Sequence, residues 1–167
     1  MPLISPDTLR GAMRAFPTGV TVVTSHGPAG PYGMTVNSFT SVSLSPPRIL
    51  FCADALGRGA GVLEANRVFA VNLLASRQHW LSQRFARRDR PRGAAAFADV
   101  EHGFAATGSP ILLGVCAFLD CRIVASHLCG DHVILIGEVV ALEADEDLAP
   151  LLFHGGRYHP ADFVRAA

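Results

Sequence analysis

The sequence predicts a mainly-β fold, an antiparallel barrel with peripheral helices. Three observations carry this expectation. Strand-length runs rich in β-branched and aromatic residues recur along the chain, from Val20–Thr24 to His132–Glu143. Many of these runs are joined by short turns containing Gly, Pro or Asp, as hairpins are. The helical patterns between them are short, whereas a doubly wound sheet needs one helix per crossover.

The elements follow in order. Ser5-Pro6-Asp7 opens a helix: a capping hydroxyl, proline at the first helical position, then an acid at the positive end of the dipole. Leu9, Met13 and Phe16 recur at helical spacing, and Pro17 stops the helix. Val20–Thr24 is a strand, and Gly27–Pro31 is the turn of a hairpin into the next strand. That strand is read as one piece, Gly33–Leu44. Alternation puts Met34, Val36, Ser38, Thr40, Val42 and Leu44 on one face. Thr35, Asn37, Phe39, Ser41 and Ser43 fall on the other, four small hydrogen-bonding groups and one ring, with no charge to hold the face in water. Such a face is either the polar side of a half-exposed strand or a surface that meets a ligand.

Pro46-Pro47 ends this strand, and Arg48–Ala53 is a short buried one. A glycine-rich loop, Gly57–Gly61, precedes a helix over Leu63–Asn66, and Val68–Leu74 is a further strand. Ser76 caps a helix with an apolar stripe of Trp80, Leu81 and Phe85, which runs into arginines at 84, 87, 88, 90 and 92. Gly93–Gly108 reads as irregular. Two long strands, Gly114–His127 and His132–Glu143, are joined by a turn at Cys129-Gly130-Asp131. The acids Asp145, Glu146 and Asp147 then cap a last helix carrying Leu148, Leu151, Leu152 and Phe153. The segment His154–His159 closes the reading.

Composition narrows the function. The 167 residues suit one domain, 1–167, able to bury a core without staples. Half are apolar and 17% are charged, with mean hydropathy +0.32. So little surface charge implies burial against a second copy. Fourteen basic residues, all arginine, balance fourteen acids, which argues against a general nucleic-acid binder. Met1–Pro6 has no basic region leading into an apolar one, as a secretory signal would, and no apolar run is long enough to span a membrane. Cys52, Cys116, Cys121 and Cys129 lack the spacing of a disulfide scaffold. Reduced thiols and a cytoplasmic location are therefore expected.

Several chemistries can be weighed from motifs. Gly57–Gly61 fails as a dinucleotide fingerprint, because position 62 is Val62 and the next strand lacks a terminal acid. It reads either as an anion-binding loop, with Arg58 beside exposed N–H groups, or as a flexible turn. The arginine run reads either as a phosphate clamp or as a solvated helix end. His127, Cys129 and His132, with Cys121 nearby, match no zinc spacing, so no metal is expected. His132, beside Asp131, is read as a donor facing a cavity or as a satisfied surface histidine. A nucleophile elbow and paired hydrolytic carboxylates are both absent.

Five ordered stretches then resemble the short-chain flavin reductase family: Phe16–Thr24, Gly33–Leu44, Phe69–Leu74, Gly130–Val139 and Gly156-Arg157-Tyr158. The resemblance implies an FMN-binding split β-barrel working as a homodimer. It implies reduction of FMN or FAD by NADH or NADPH, often to supply a separate monooxygenase. Carried onto this chain, it puts Thr35, Asn37, Ser38, Ser41, Val42 and Ser43 around the flavin, with Phe69 and Asn72 closing the pocket. Asp54, Arg58, Gly59 and Ala60 would meet the phosphate, helped by Arg84 or Arg88. His132 and Arg157 would lie near the ring and nicotinamide, with His132 positioning rather than reacting. Many relatives carry Ser or Thr after the basic residue of the phosphate loop, and this chain has Gly59 and Ala60 instead. Two other readings stay open: a flavoprotein that retains its flavin and acts on another small molecule, or a flavin-binding sensor or carrier without turnover.

Overall fold

The computed structural model describes residues 3–161; the two ends of the expected 1–167 domain, 1–2 and 162–167, lie outside the described residues. Helix α1 (Pro6–Met13) starts as its sequence dictates, with Thr8 N–H donating to Ser5 Oγ at 3.1 Å. It ends at Met13 rather than at Phe16, the chain tightening into i→i+3 turns in which Ala15 N–H donates to the Ala12 carbonyl and Phe16 N–H to the Met13 carbonyl, both at 3.1 Å. None of its residues is buried, so Leu9, Met13 and the following Phe16 form an exposed apolar stripe.

Strands β1 (Thr18–Gly19), β2 (Thr21–Ser25) and β3 (Tyr32–Val36) follow, and β2 and β3 form the expected hairpin. The expected single strand Gly33–Leu44 breaks after β3, and the chain resumes pairing only in β4 (Thr40–Leu44). Ser38 lies in the gap, where its Oγ donates to the Cys52 carbonyl at 3.2 Å and accepts from the Cys52 N–H at 3.1 Å. This side-chain bridge replaces strand pairing there, so the two-face alternation does not carry from β3 to β4.

Strand β5 (Pro47–Asp54) pairs with β4, and the chain then turns into helix α2 (Arg58–Asn66). The helix begins five residues before the expected Leu63, drawing the glycine-rich loop into its first turn. After β6 (Val68–Leu73), a short 3-10 turn over Ser76–Gln78 leads into α3 (His79–Ala86). Ala75 rather than Ser76 occupies the cap position there, and its N–H donates to Gln78 Oε1 at 2.9 Å. The 93–108 excursion contains a 3-10 turn and β7 (His102–Phe104), which pairs with β8 (Pro110–Leu112). The long hairpin is β9 (Ala117–Cys129) and β10 (His132–Ala144).

The expected last helix is instead a strand, β11 (Leu151–His154), paired with β12 (Arg157–Pro160). Pro150 cannot sit inside a helix. Leu151 instead bonds the residues flanking two strands, donating to the Leu74 carbonyl at 2.8 Å and accepting from Val20 N–H at 3.2 Å. Gly155 and Gly156 make the intervening turn at φ of 61° and 83°, a conformation that favours glycine.

The main sheet has the order β3-β2-β6-β9-β10-β5-β4. Its edges β3 and β4 are only three residues apart in sequence, so the sheet must curl until they meet, and the seam of the barrel lies there. Adjacent Val22 and Val23 on β2 feed two separate cores, as alternation requires. One core includes Leu81, Phe85, Phe97 and Leu151. The other fills the barrel with Phe51, Leu63, Phe69 and Leu135, the two phenyl rings meeting edge to face at 5.0 Å. Cys121 lies in this second core, where burial pushes its thiol up to about 12. The four cysteines are free thiols. No helix among the described residues is long and apolar enough to cross a membrane.

Candidate functional site

Two adjoining cavities open beside β3. The first, about 460 Å³, is bounded by β3, the turn from β5 into α2, and the arginine segment after α3. The second, about 410 Å³, lies between β3, α3 and the β11–β12 hairpin. Met34, Asp54 and Arg90 line both, so the two form one continuous groove. Two glycines make this possible. A Cβ on Gly33 would lie 2.5 Å from Phe85 Cε1, and one on Gly59 would lie 2.7 Å from Met34 Sδ. A side chain at Gly33 would press α3 away from β3, and one at Gly59 would displace the ends of Met34 and Tyr32 that line the cavity.

Asp54 organises the turn into α2, its Oδ1 accepting from Leu56 N–H at 2.9 Å and Gly57 N–H at 3.2 Å. Gly57 then stands at the helix cap without a side-chain acceptor, so the first turn, with Arg58 and Gly59, presents its N–H dipoles to the first cavity. Across the cavity stand Arg88, Arg90 and Arg92. Arg90 is fixed: Nη2 donates to Tyr32 Oη at 2.8 Å, Nη1 donates to the Arg87 carbonyl at 2.6 Å, and its guanidinium lies 5.4 Å from the Tyr32 ring centre. Arg58, Arg88 and Arg92 have no ion-pair partner among the described residues. This cavity is therefore built to hold an anion.

The second cavity is different in character. Thr35 Oγ1 donates to the Ser82 carbonyl at 2.6 Å, and Ser82 Oγ lies 2.8 Å from Tyr158 Oη. Asn37 is held only by a 3.4 Å contact from its Nδ2 to Thr18 Oγ1, which leaves its amide able to meet a ligand. Phe153 and Tyr158, 5.4 Å apart, supply an aromatic wall. The combination suits a flat ring with a polar edge.

The expected site residues divide accordingly. Thr35, Asn37, Asp54, Arg58, Gly59 and Arg88 come together on the groove. His132 stands directly opposite Asp54 in the β10–β5 ladder, at the groove's margin. Its Nδ1 bonds Asp131 Oδ1 at 2.8 Å, and that bond holds the Asp131 carboxyl below the usual carboxylate range. Ala60 is half-buried and packs against the barrel core. Ser38 spends its hydroxyl on Cys52, while Ser41, Val42 and Ser43 lie on the edge strand β4, outside both cavities.

Four more of the expected residues are placed away from the groove. Phe69 is wholly buried in the barrel core and does not close the groove. Asn72 is equally buried, donating to the Val22 carbonyl and Thr24 Oγ1 and accepting from Leu112 N–H. Arg84 turns away, its Nε donating to the Ala96 carbonyl at 3.1 Å and Nη2 lying 3.8 Å from Asp99. Arg157 precedes Tyr158 on β12, so pleating sends it away from the face that Tyr158 presents to the cavity. Sequence reasoning weighed Arg90 only as one of the arginine run, and did not select Tyr32, Ser82, Phe153 and Tyr158 as site residues. The available signals were that run, which brings Arg90 to the groove, and the Gly-Arg-Tyr stretch, whose tyrosine lines the second cavity. No group of three metal-ligating side chains gathers among the described residues.

Comparison with known proteins shows the family. Residues 13–162 match the family model described as "Flavin reductase like domain". The chain is 44% identical over 152 residues to FMN reductase (NADH) SmoA of Agrobacterium fabrum, covering 90% of this chain and 83% of that protein. It is 36% identical over 155 residues to the flavin-dependent monooxygenase reductase subunit HsaB of Rhodococcus jostii, covering 93% and 77%. The solved structure of Streptomyces globisporus NADH:FAD oxidoreductase SgcE6 with NAD and FAD fragments superposes with a TM-score of 0.87 at 37% identity. That match covers 100% of this chain and 99% of the other. Motifs, fold and kinship converge: this chain belongs to the flavin reductase-like domain family.

Proposed function

We propose that the chain is an NAD(P)H:flavin oxidoreductase that reduces FMN or FAD and passes the reduced flavin to a separate monooxygenase. The continuous groove carries this reading, because a polar-edged aromatic cavity joined to an arginine-lined one matches the two ends of a flavin nucleotide. Flavin and nicotinamide together supply the hydride chemistry, from nicotinamide C4 to flavin N5. The protein binds, orients and excludes water. Thr35 and Asn37 hold the ring's edge, Phe153 and Tyr158 cover a face, and Arg58 and Arg88 take the phosphate. NADH is the expected donor, following the name of the Agrobacterium relative. We further infer one domain over 1–167, a cytoplasmic setting and a homodimer. The exposed stripe of Leu9, Met13 and Phe16, and exposed Leu44 on β4, supply apolar surface for a second copy.

The deciding experiment is anaerobic. Purified protein, NADH or NADPH, and excess FMN or FAD are mixed while the flavin's visible absorption is followed. Catalytic bleaching of the excess flavin is expected. Bleaching of only one protein-bound equivalent would instead mean a retained flavin and another substrate, and no bleaching despite flavin binding would mean a binding protein.

A second result concerns His132, which stands at the margin of the groove. His132→Ala is expected to raise KM for the nicotinamide nucleotide several-fold and to lower kcat less, since a positioning residue supplies orientation rather than bond-making. Steady-state kinetics check this, and a loss of kcat as complete as omitting flavin would refute the positioning role.

A further inference from the structure

Kinship leaves the identity of the flavin open, since one relative's name specifies FMN and another's FAD. The arginine-lined cavity is large for one phosphate group: about 460 Å³, on the order of 10 Å across if rounded. Its cations stand on two walls, with Arg58 on α2 and Arg88, Arg90 and Arg92 on the segment after α3. The only carboxylate in the lining, Asp54, already accepts two backbone N–H groups. Two linked phosphates carry more oxygens than one, and so can meet more of these guanidinium groups at once.

Beyond this cavity, across Arg90 and Pro91, lies a third hollow of about 520 Å³. Arg90 and Pro91 line both, so the ridge between the hollows is only those side chains thick. Trp80 stands in the wall of the third hollow with Gln83 beside it. Its indole is 45% exposed, while Leu81 and Phe85 on the same helix are buried in the core. An indole face is a stacking platform for a base, and a neighbouring amide can bond a base edge.

We propose that Trp80, reached over the Arg90–Pro91 ridge, is the adenine subsite of a bound FAD, so that FAD rather than FMN is the preferred flavin. The inference rests on the flavin-reductase reading. A flavin whose first phosphate lies in the arginine cavity carries its second phosphate into the same space, and the adenosine leaves over the ridge. NADH ends in the same adenosine diphosphate group, so it is the rival occupant.

Equilibrium dialysis of FAD and of FMN against the wild type, Trp80→Ala and Trp80→Phe tests this, with melting temperatures as a check on folding. The wild type should bind FAD about tenfold more tightly than FMN, the scale of one stacked base. Trp80→Ala should bring that ratio close to one, and Trp80→Phe, which keeps a stacking face, should preserve most of it. Equal affinities in the wild type, or a parallel fall for both flavins in Trp80→Ala, would overturn the subsite alone. So would an unchanged FAD:FMN ratio with a tenfold rise in KM for NADH when FMN is the acceptor, because the adenosine would then belong to NADH. Failure of the wild type to bind either flavin would overturn the reductase reading as well.

Discussion

Replacing Asn72 with alanine is expected to destabilise the fold by roughly 3 kcal/mol while leaving flavin affinity within a few-fold of the wild type. Asn72 has no exposed surface. Its Nδ2 lies 3.0 Å from the Val22 carbonyl and 3.1 Å from Thr24 Oγ1, and its Oδ1 lies 2.8 Å from Leu112 N. One side chain thus ties β6 to β2 on one side and to β8 on the other. Truncation leaves the Leu112 N–H buried without an acceptor, which costs far more than the loss of one hydrogen bond between exposed groups. Urea denaturation measures the stability loss, and flavin titration below the unfolding transition measures affinity. A stable variant that has lost flavin binding would return Asn72 to the pocket wall.

The second large effect is at Gly137, in the central strand β10. Gly137→Val is expected to cost about 3 kcal/mol, the upper part of the range for overpacking a core. A Cβ there would stand 2.3 Å from Phe69 Cζ, 2.7 Å from Phe69 Cε1 and 3.0 Å from Cys121 Cβ. The Phe69 ring cannot swing clear, because it is wholly buried and packed edge to face against Phe51. Shortening the ring in Gly137→Val/Phe69→Leu should recover part of the loss, and a double-mutant cycle in urea measures the coupling. Purely additive effects would show that the clash is relieved by movement of β10 instead.

These two positions also show where sequence reading succeeds and where it stops. The apolar run Val68–Leu74 identifies β6, and Gly130-Asp131 between two apolar runs identifies the β9–β10 hairpin, because these signals are local. Ser5 likewise identifies the start of α1. The sequence cannot say whether a polar residue in a strand faces a ligand or another strand's backbone. Asn72, brought to the flavin only by the family resemblance, bonds neighbouring strands, while Thr35 and Asn37, read also from the polar face of their strand, line the groove. The arginine run shows the same limit. The sequence leaves open which of Arg84 and Arg88 faces a ligand; the helix ends at Ala86, Arg88 lines the first cavity, and Arg84 bonds Ala96 and lies near Asp99.

By itself, the sequence determined the mainly-β class, most strand positions and the membership implied by five ordered motifs, and it singled out Thr35 and Asn37, which line the groove. Only the tertiary structure decided that Gly33–Leu44 breaks at Ser38 and that Leu151–His154 is a strand. It also decided that Arg90, Tyr32, Ser82, Phe153 and Tyr158 complete the groove with those residues. The reason is physical. Propensity and alternation act between neighbours a few residues apart, whereas these outcomes depend on hydrogen bonds such as Ser38 to Cys52 and Leu151 to Leu74. Such partners, distant in sequence, meet only once the chain has folded.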